Sequence, residues 1–243
     1  MSKPDEIFLK KMIKHCGKTI NRHNLIEADD HILLALSGGK DSLALLDIIS
    51  RRRKHLPINY KLTAAFINII GITDNVDQSK LNLFCKERDA GFISQSVDVD
   101  FTQNTDPCFA CSWHRRKILF EMCRKMDIKT LALGHTLDDT SNTLLMNIFF
   151  QGNISSMTPS LDLFDGNLKI IRPLIETDEK NITHYCNLLS LPIQKGKCHY
   201  GKAQKRNQID KIIKEIEKTH PQVRNNIYSS LSNIRSDYLP EQF

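Results

Sequence analysis

"HILLALSGGKDSLALLDII", residues 31–49, passes from one apolar stretch through six polar or flexible residues into another. The first stretch, HILLAL (31–36), has the length of a short buried strand, and LALLDIISRRR (43–53) has helical spacing and a basic end that suits its dipole. A plain turn would need one or two permissive residues. Here Ser37 and Ser42 bracket Gly38, Gly39, Lys40 and Asp41. In open α/β sheets ligands sit at the carboxyl ends of the strands, which is where this joint falls. Successive backbone N–H groups at such a turn cradle an anion, and the following helix dipole adds to the attraction. Gly38 and Gly39 allow close approach and positive φ, and the hydroxyls of Ser37 and Ser42 can donate to phosphate oxygens. Lys40 supplies a cation, and Asp41 can hold a magnesium ion.

Outward from this joint the chain alternates. Residues 7–23 read as an amphipathic helix before the core, YKLTAAFINI (60–69) as a strand, and VDQSKLNLFCKERDAG (76–91) as a helix stopped by Gly91. FISQSVDV (92–99) alternates like a strand, helix resumes over 111–126, and TLALG (130–134) is a strand before the helix LDDTSNTLLMNIFF (137–150). LKIIRPL (168–174) and the helix DEKNITHYCNLL (178–189) complete the pattern, and a helical tail over 204–235 breaks near Pro221. Strands alternating with helices predict a parallel sheet covered on both faces. The expectation is one domain over 1–243: an N-terminal helix (1–27), a core (28–190), and a late cysteine loop with C-terminal helices (191–243).

The joint is neither the Walker loop nor the dinucleotide G-x-G-x-x-G. It resembles the SGGxDS pyrophosphate loop of the N-type ATP pyrophosphatases, which split ATP into AMP and pyrophosphate to adenylate an oxygen. LALGHTLDDT (131–140) again ends a strand and opens a helix, so His135, Asp138 and Asp139 are expected at the same edge as the loop. Paired acids there can bind the magnesium that ATP chemistry requires, or simply cap a helix.

With 40% apolar and 26% charged residues, the chain belongs with ordinary globular proteins. No apolar run reaches the length of a membrane span, and the start lacks an apolar signal core, so a cytoplasmic location with no membrane partner is expected. The net charge is +6, with basic clusters at 51–55, 114–117 and 201–206 that can attract a polyanion the size of a tRNA or simply form a solvated basic face. Seven cysteines in a reducing compartment read as metal, redox or buried thiols rather than disulfides.

DPCFACSWHRRKILF (106–120) places Cys108 and Cys111 in a C-x-x-C, and Cys198 lies in a basic, polar stretch (192–209). Cys16, Cys85, Cys123 and Cys186 sit among apolar neighbours on helices and read as buried thiols. Three thiols are one short of a closed zinc site, which His114 or His199 could complete. Three also suit a cubane cluster with one iron left open.

SGGKDS (37–42), CFACSWHRRKILF (108–120), LALGHTLDDT (131–140), NIFFQGNISSMTP (147–159), IIRPL (170–174), Cys198 and Arg206–Asn207–Gln208 together resemble the tRNA 2-thiocytidine synthetase family. That resemblance spans roughly residues 25–210. It implies an adenine nucleotide alpha-hydrolase-like (PP-loop) α/β fold, a doubly wound parallel sheet with helical N- and C-terminal extensions. It also implies a tRNA-cytidine(32) 2-sulfurtransferase activity: ATP with magnesium adenylates C2 of cytidine 32 in the anticodon loop, and sulfur from a cysteine desulfurase replaces the oxygen. By position, Cys108, Cys111 and Cys198 would hold a 4Fe–4S cluster. Ser37, Gly38, Gly39, Lys40, Asp41, Ser42 and His135 would bind ATP, and Asp41 with Asp138 would hold magnesium. Asp41, Arg115, Arg116, Asp138 and Asp139 would be the catalytic set, and the enzyme would be a homodimer. Family members often carry a second late C-x-x-C, whereas here Lys195 replaces its first cysteine. Trp113 and Phe109 are candidates for stacking on a base. The rival readings are thiolation of a uridine, lysine ligation to an anticodon cytidine, and a non-catalytic RNA-binding iron–sulfur sensor. Lysine ligation leaves the three cysteines unexplained.

Overall fold

A computed structural model of the chain describes residues 2–99, 107–194, 196 and 204–238. It divides into two compact units, one formed by Met1–Thr136 with Thr158–Gly201 and the other by Leu137–Met157 with Lys202–Phe243. The strands are β1 (His31–Ala35), β2 (Lys61–Ile69), β3 (Gly91–Val97), β4 (Thr130–Ala132), β5 (Ser160–Leu163) and β6 (Leu168–Ile171). The helices are α1 (Lys3–Arg22), α2 (Lys40–Arg53), α3 (Gln78–Lys86), α4 (Pro107–Lys125), α5 (Leu137–Gln151), α6 (Glu179–Leu188), α7 (Gln204–Glu217) and α8 (Val223–Ser230).

In the first unit the strands form one sheet in the order β3-β2-β1-β4-β6-β5. All neighbours run parallel except the edge strand β5, which is antiparallel to β6. The chain steps from β1 to β2 to β3 in one direction, and β4 then lies on the other side of β1. That reversal opens a crevice at the carboxyl ends of β1 and β4, the usual ligand position in such sheets. Period-two alternation sends Ile32, Leu34, Leu62, Ala64 and Phe66 into one core with α1, α2, α3 and α6. Leu33, Ala65, Ile67 and Ile69 pack on the other face against Ile118, Leu119 and Met122 of α4. Both faces are therefore covered, as the sequence pattern predicts.

Several elements differ from the sequence reading. α4 begins at Pro107, four residues before the expected start, so Cys108 and Cys111 lie on the helix itself; proline at a first helical position is pre-set for it. Gly91 does not stop α3. Asp89, at φ 51°, makes the left-handed reversal, Ala90 N–H donates to the Cys85 carbonyl at 3.0 Å, and Gly91 opens β3. β5 is an added strand whose four residues are only half-buried or exposed.

The second unit packs α5, α7 and α8 together. Arg224, 2% exposed, is shared there by Asp138, Asp210 and Glu217 at 3.2, 3.1 and 3.6 Å. No described helix is long and apolar enough to cross a membrane.

Cys16, Cys85, Cys123 and Cys186 are buried as expected, and burial pushes each thiol up to about 12. They pack as small apolar groups; Cys16 and Cys186 also donate to the carbonyls of Pro173 and Lys40, each at 3.4 Å. In the unfolded chain these thiols ionise from their ordinary value of 9.0 upward, whereas the fold keeps them protonated. The unfolded state then binds fewer protons, so stability is full below pH ~9 and falls as pH rises above it. Denaturant titrations between pH 7 and 11 should show that decline, and a Cys85→Ala/Cys123→Ala double variant should show a shallower one.

Candidate active site

The joint after β1 folds as a closed loop. Gly38 takes φ +79°, and Gly39 is the N-cap of α2 with no side-chain cap on the helix. The first turn of α2 thus begins at the loop, with the positive end of the helix dipole directed there. Ser42 is buried and holds the loop from within: its Oγ accepts from Ser37 N–H at 3.1 Å and donates to the Gly39 carbonyl at 3.0 Å. Ser37 Oγ lies 3.1 Å from Ser42 Oγ and accepts from Gly39 N–H at 3.2 Å. Lys40 Nζ sits 3.1 Å from Asp41 and 2.7 Å from Glu179. Burial works against the Lys40 charge, but Glu179 and Asp41 outweigh it and hold the ammonium above its ordinary pKa. A permanent cation therefore stands at the mouth of the loop.

Two supports of this loop are not legible in the sequence. Gln194 N–H donates to the Gly38 carbonyl at 2.8 Å, and the Gln194 side chain clamps the backbone of Asp77 at 2.6 and 3.0 Å. Gly134, just after β4, packs so closely that a Cβ there would stand 3.1 Å from the Asp41 carbonyl carbon and 3.2 Å from Ser42 N. Because the obstruction is backbone, Gly134→Ala must push the loop aside at a cost of about 1–3 kcal/mol. ATP affinity should fall about tenfold or more in a binding titration, with a melting temperature only a few degrees lower.

α4 divides its two arginines between different surroundings, as adjacent residues on a helix must. Arg115 lines a cavity of about 60 Å³ with Ser37, Thr73 and Phe66, and its Nε is buried with no hydrogen-bond partner among the described residues. Arg116 instead lines a groove of about 790 Å³ with Trp113, Lys117, Phe120 and Phe164. Trp113 is exposed, with the Lys117 ammonium 5.5 Å from its ring centre, and Phe109 is also exposed. His135 Nδ1 lies 3.3 Å from Arg172 Nε, beyond the carboxyl ends of β4 and β6. Asp138 and Asp139 fall in the second unit, where Arg224 and Arg206 respectively pair with them.

Cys108 and Cys111 occupy the first turn of α4, three residues apart on one helix side, and both are partly exposed. This sets them apart from the four buried, protonated thiols. Two accessible thiols at the positive end of a helix dipole form a donor pair that fits a metal or cluster. Cys198, His199 and Lys195 lie outside the described residues.

Residues 7–216 match the PP-loop domain family. The chain is 33% identical over 237 residues to the tRNA-cytidine(32) 2-sulfurtransferase of Herminiimonas arsenicoxydans, covering 95% of this chain and 74% of that protein. It is 31% identical to the protein of the same name from Geobacter sulfurreducens, covering 97% and 94%. Among solved structures, the U34-tRNA thiolase NcsA from Methanococcus maripaludis, determined with its 4Fe–4S cluster, superposes with a TM-score of 0.80 at 25% identity. That match covers 98% of this chain and 82% of the other. A phosphate loop at the β1/β4 crevice, two accessible thiols on α4 and these matches over nearly the whole chain lead to one assignment: the chain belongs to the PP-loop proteins and, among them, to the tRNA-cytidine(32) 2-sulfurtransferase family.

Proposed function

We propose that this protein is an ATP-dependent tRNA thiolase that converts cytidine 32 to 2-thiocytidine. One observation carries the reading: α4 bears both the accessible thiols Cys108 and Cys111 and, one turn on, Arg115, which lines the cavity beneath Ser37 of the phosphate loop. Sulfur chemistry and nucleotide chemistry thus share one helix.

The amides around Gly39 and the hydroxyl of Ser37 hold the β- and γ-phosphates, and Lys40 neutralises them. Asp41 would be the loop's carboxylate ligand for a magnesium ion, which would offset the charge of the phosphates. The cytosine C2 oxygen attacks the α-phosphorus, pyrophosphate leaves, and AMP becomes the leaving group on C2. Arg115 faces the charge that develops. Cys108, Cys111 and Cys198 would hold a 4Fe–4S cluster, and such a cluster would supply an iron with an open position to which sulfur can bind. The sulfur comes from a cysteine desulfurase, the enzyme works as a homodimer in the cytoplasm, and Trp113 or Phe109 stacks on a splayed anticodon-loop base. The choice of cytidine over uridine follows the names of the relatives at 31–33% identity rather than that of the U34 thiolase at 25%.

Mass analysis of nucleosides from bulk tRNA, with and without the gene, tests this. Loss of 2-thiocytidine on deletion is expected. Loss of a different thionucleoside would move the assignment to another base, and an unchanged nucleoside profile would favour the sensor.

A further inference from the structure

Arg172 has no role in the site as read from sequence, although it belongs to the IIRPL stretch. It is 8% exposed. Its Nε lies 3.3 Å from His135 Nδ1 and its Nη1 donates to the Thr158 carbonyl at 2.7 Å. Among the described residues no carboxylate lies within ion-pair distance of it. Arg224, by contrast, is also deeply buried and has three. Worse for its charge, Arg116 stands close enough to oppose it, so burial first and Arg116 second lower its pKa from the usual value. A buried guanidinium within electrostatic reach of a second cation is costly unless an anion completes the site.

The position says which anion. Arg172 follows β6 directly, and its partner His135 follows Gly134, on which a Cβ would stand 3.1–3.2 Å from the backbone of Asp41 and Ser42. One hydrogen bond and one residue thus separate Arg172 from the phosphate loop. We propose that Arg172 and Arg116, with His135 between Arg172 and the loop, form a subsite for a phosphate group beside the pyrophosphate cradle. A phosphate could come from the AMP half of the nucleotide or from the RNA backbone. The closeness to Asp41 and Ser42 favours the nucleotide. The proposal rests on reading the loop as an ATP pyrophosphatase site.

Binding of AMP, pyrophosphate and a tRNA transcript to the full chain separates the possibilities, with Arg172→Lys and Arg116→Gln as the variants. Wild-type protein should bind all three; failure there would overturn the proposed function rather than this subsite. For a nucleotide phosphate, Arg172→Lys should weaken AMP about tenfold or more, the size of a lost charge-assisted hydrogen bond, and leave pyrophosphate unchanged. Arg116→Gln should act in the same direction. For an RNA phosphate, tRNA affinity should fall and its salt dependence become shallower by about one charge, with AMP unchanged. Unchanged affinities for both AMP and tRNA overturn the subsite. So does a uniform loss for all three ligands with a lowered melting temperature, which would make Arg172 a structural tie to Thr158.

Discussion

Asp47→Ala is expected to destabilise the first unit by about 3–5 kcal/mol, the range for removing one partner of a buried ion pair. Asp47 lies on α2 below the loop and is 1% exposed. Its carboxylate accepts from Tyr185 Oη at 2.5 Å, Arg51 Nε at 2.7 Å and Arg88 Nε at 2.8 Å. The three partners come from α2, the turn after α3, and α6, so one side chain ties three elements. Without it two guanidiniums and a buried hydroxyl lose their acceptor. Tyr185→Phe removes a single bond to a charged acceptor and should cost less, about 1.5–3 kcal/mol. Urea titration at pH 7 checks both, and the order matters more than either value. If Asp47→Ala cost no more than Tyr185→Phe, the arginines would be solvated well enough without it and the network would be incidental.

Burial and the Asp47 charge raise the Tyr185 pKa above its ordinary 10.0, the same direction as the thiols. Tyr185→Phe should therefore also flatten the alkaline loss of stability, since the fold no longer protects a phenol that the unfolded chain would ionise.

The parallel sheet and its loop were legible because their signals are local. HILLAL is a continuous apolar run, as a strand buried on both faces requires, and SGGKDS carries its anion-binding character in consecutive residues. β5 was not, because SLDL (160–163) is an edge strand with no buried residue to mark it. The start of α4 was misplaced because Cys108 and Phe109 look like loop residues until Pro107 is read as a first helical position. The start of α1 was late for a similar reason: Ser2 and Asp5 form a capping box, which a search for S-x-x-[DE] would have found.

The candidate site was legible in its residue types and less so in its partners. Ser37, Ser42 and Lys40 could be named from the loop, but Gln194 and Gly134 act through contacts 156 and 93 residues away from Gly38 and Asp41, which no local pattern encodes. Arg115 and Arg116 look equivalent in sequence. Only the helix phase separates the one that shares a cavity with Ser37 from the one that lines the groove with Trp113 and Phe164. Nor does the sequence reveal that Asp138 and Asp139 are each met by an arginine.

Cys111→Ala is expected to abolish thiolation, with 2-thiocytidine falling at least a hundredfold to background in complemented deletion cells. Cys108 and Cys111 are partly exposed thiols three residues apart near the start of α4, so losing either removes one of the proposed cluster's ligands. Cys108→Ala and Cys198→Ala should behave alike. Protein purified without oxygen should lose its visible iron–sulfur absorbance and bound iron in all three variants. Cys123→Ala and Cys186→Ala, whose side chains are buried and protonated, should keep both iron and activity, with a stability loss of about 1 kcal/mol from the vacated volume. ATP binding should survive every cysteine change, because the loop is closed by Ser37, Ser42 and Gln194. Stoichiometric zinc with no iron in the wild type would sink the cluster reading and point to His114 or His199 as a fourth ligand. Iron retained in Cys111→Ala would show that the C-x-x-C is not the cluster's anchor.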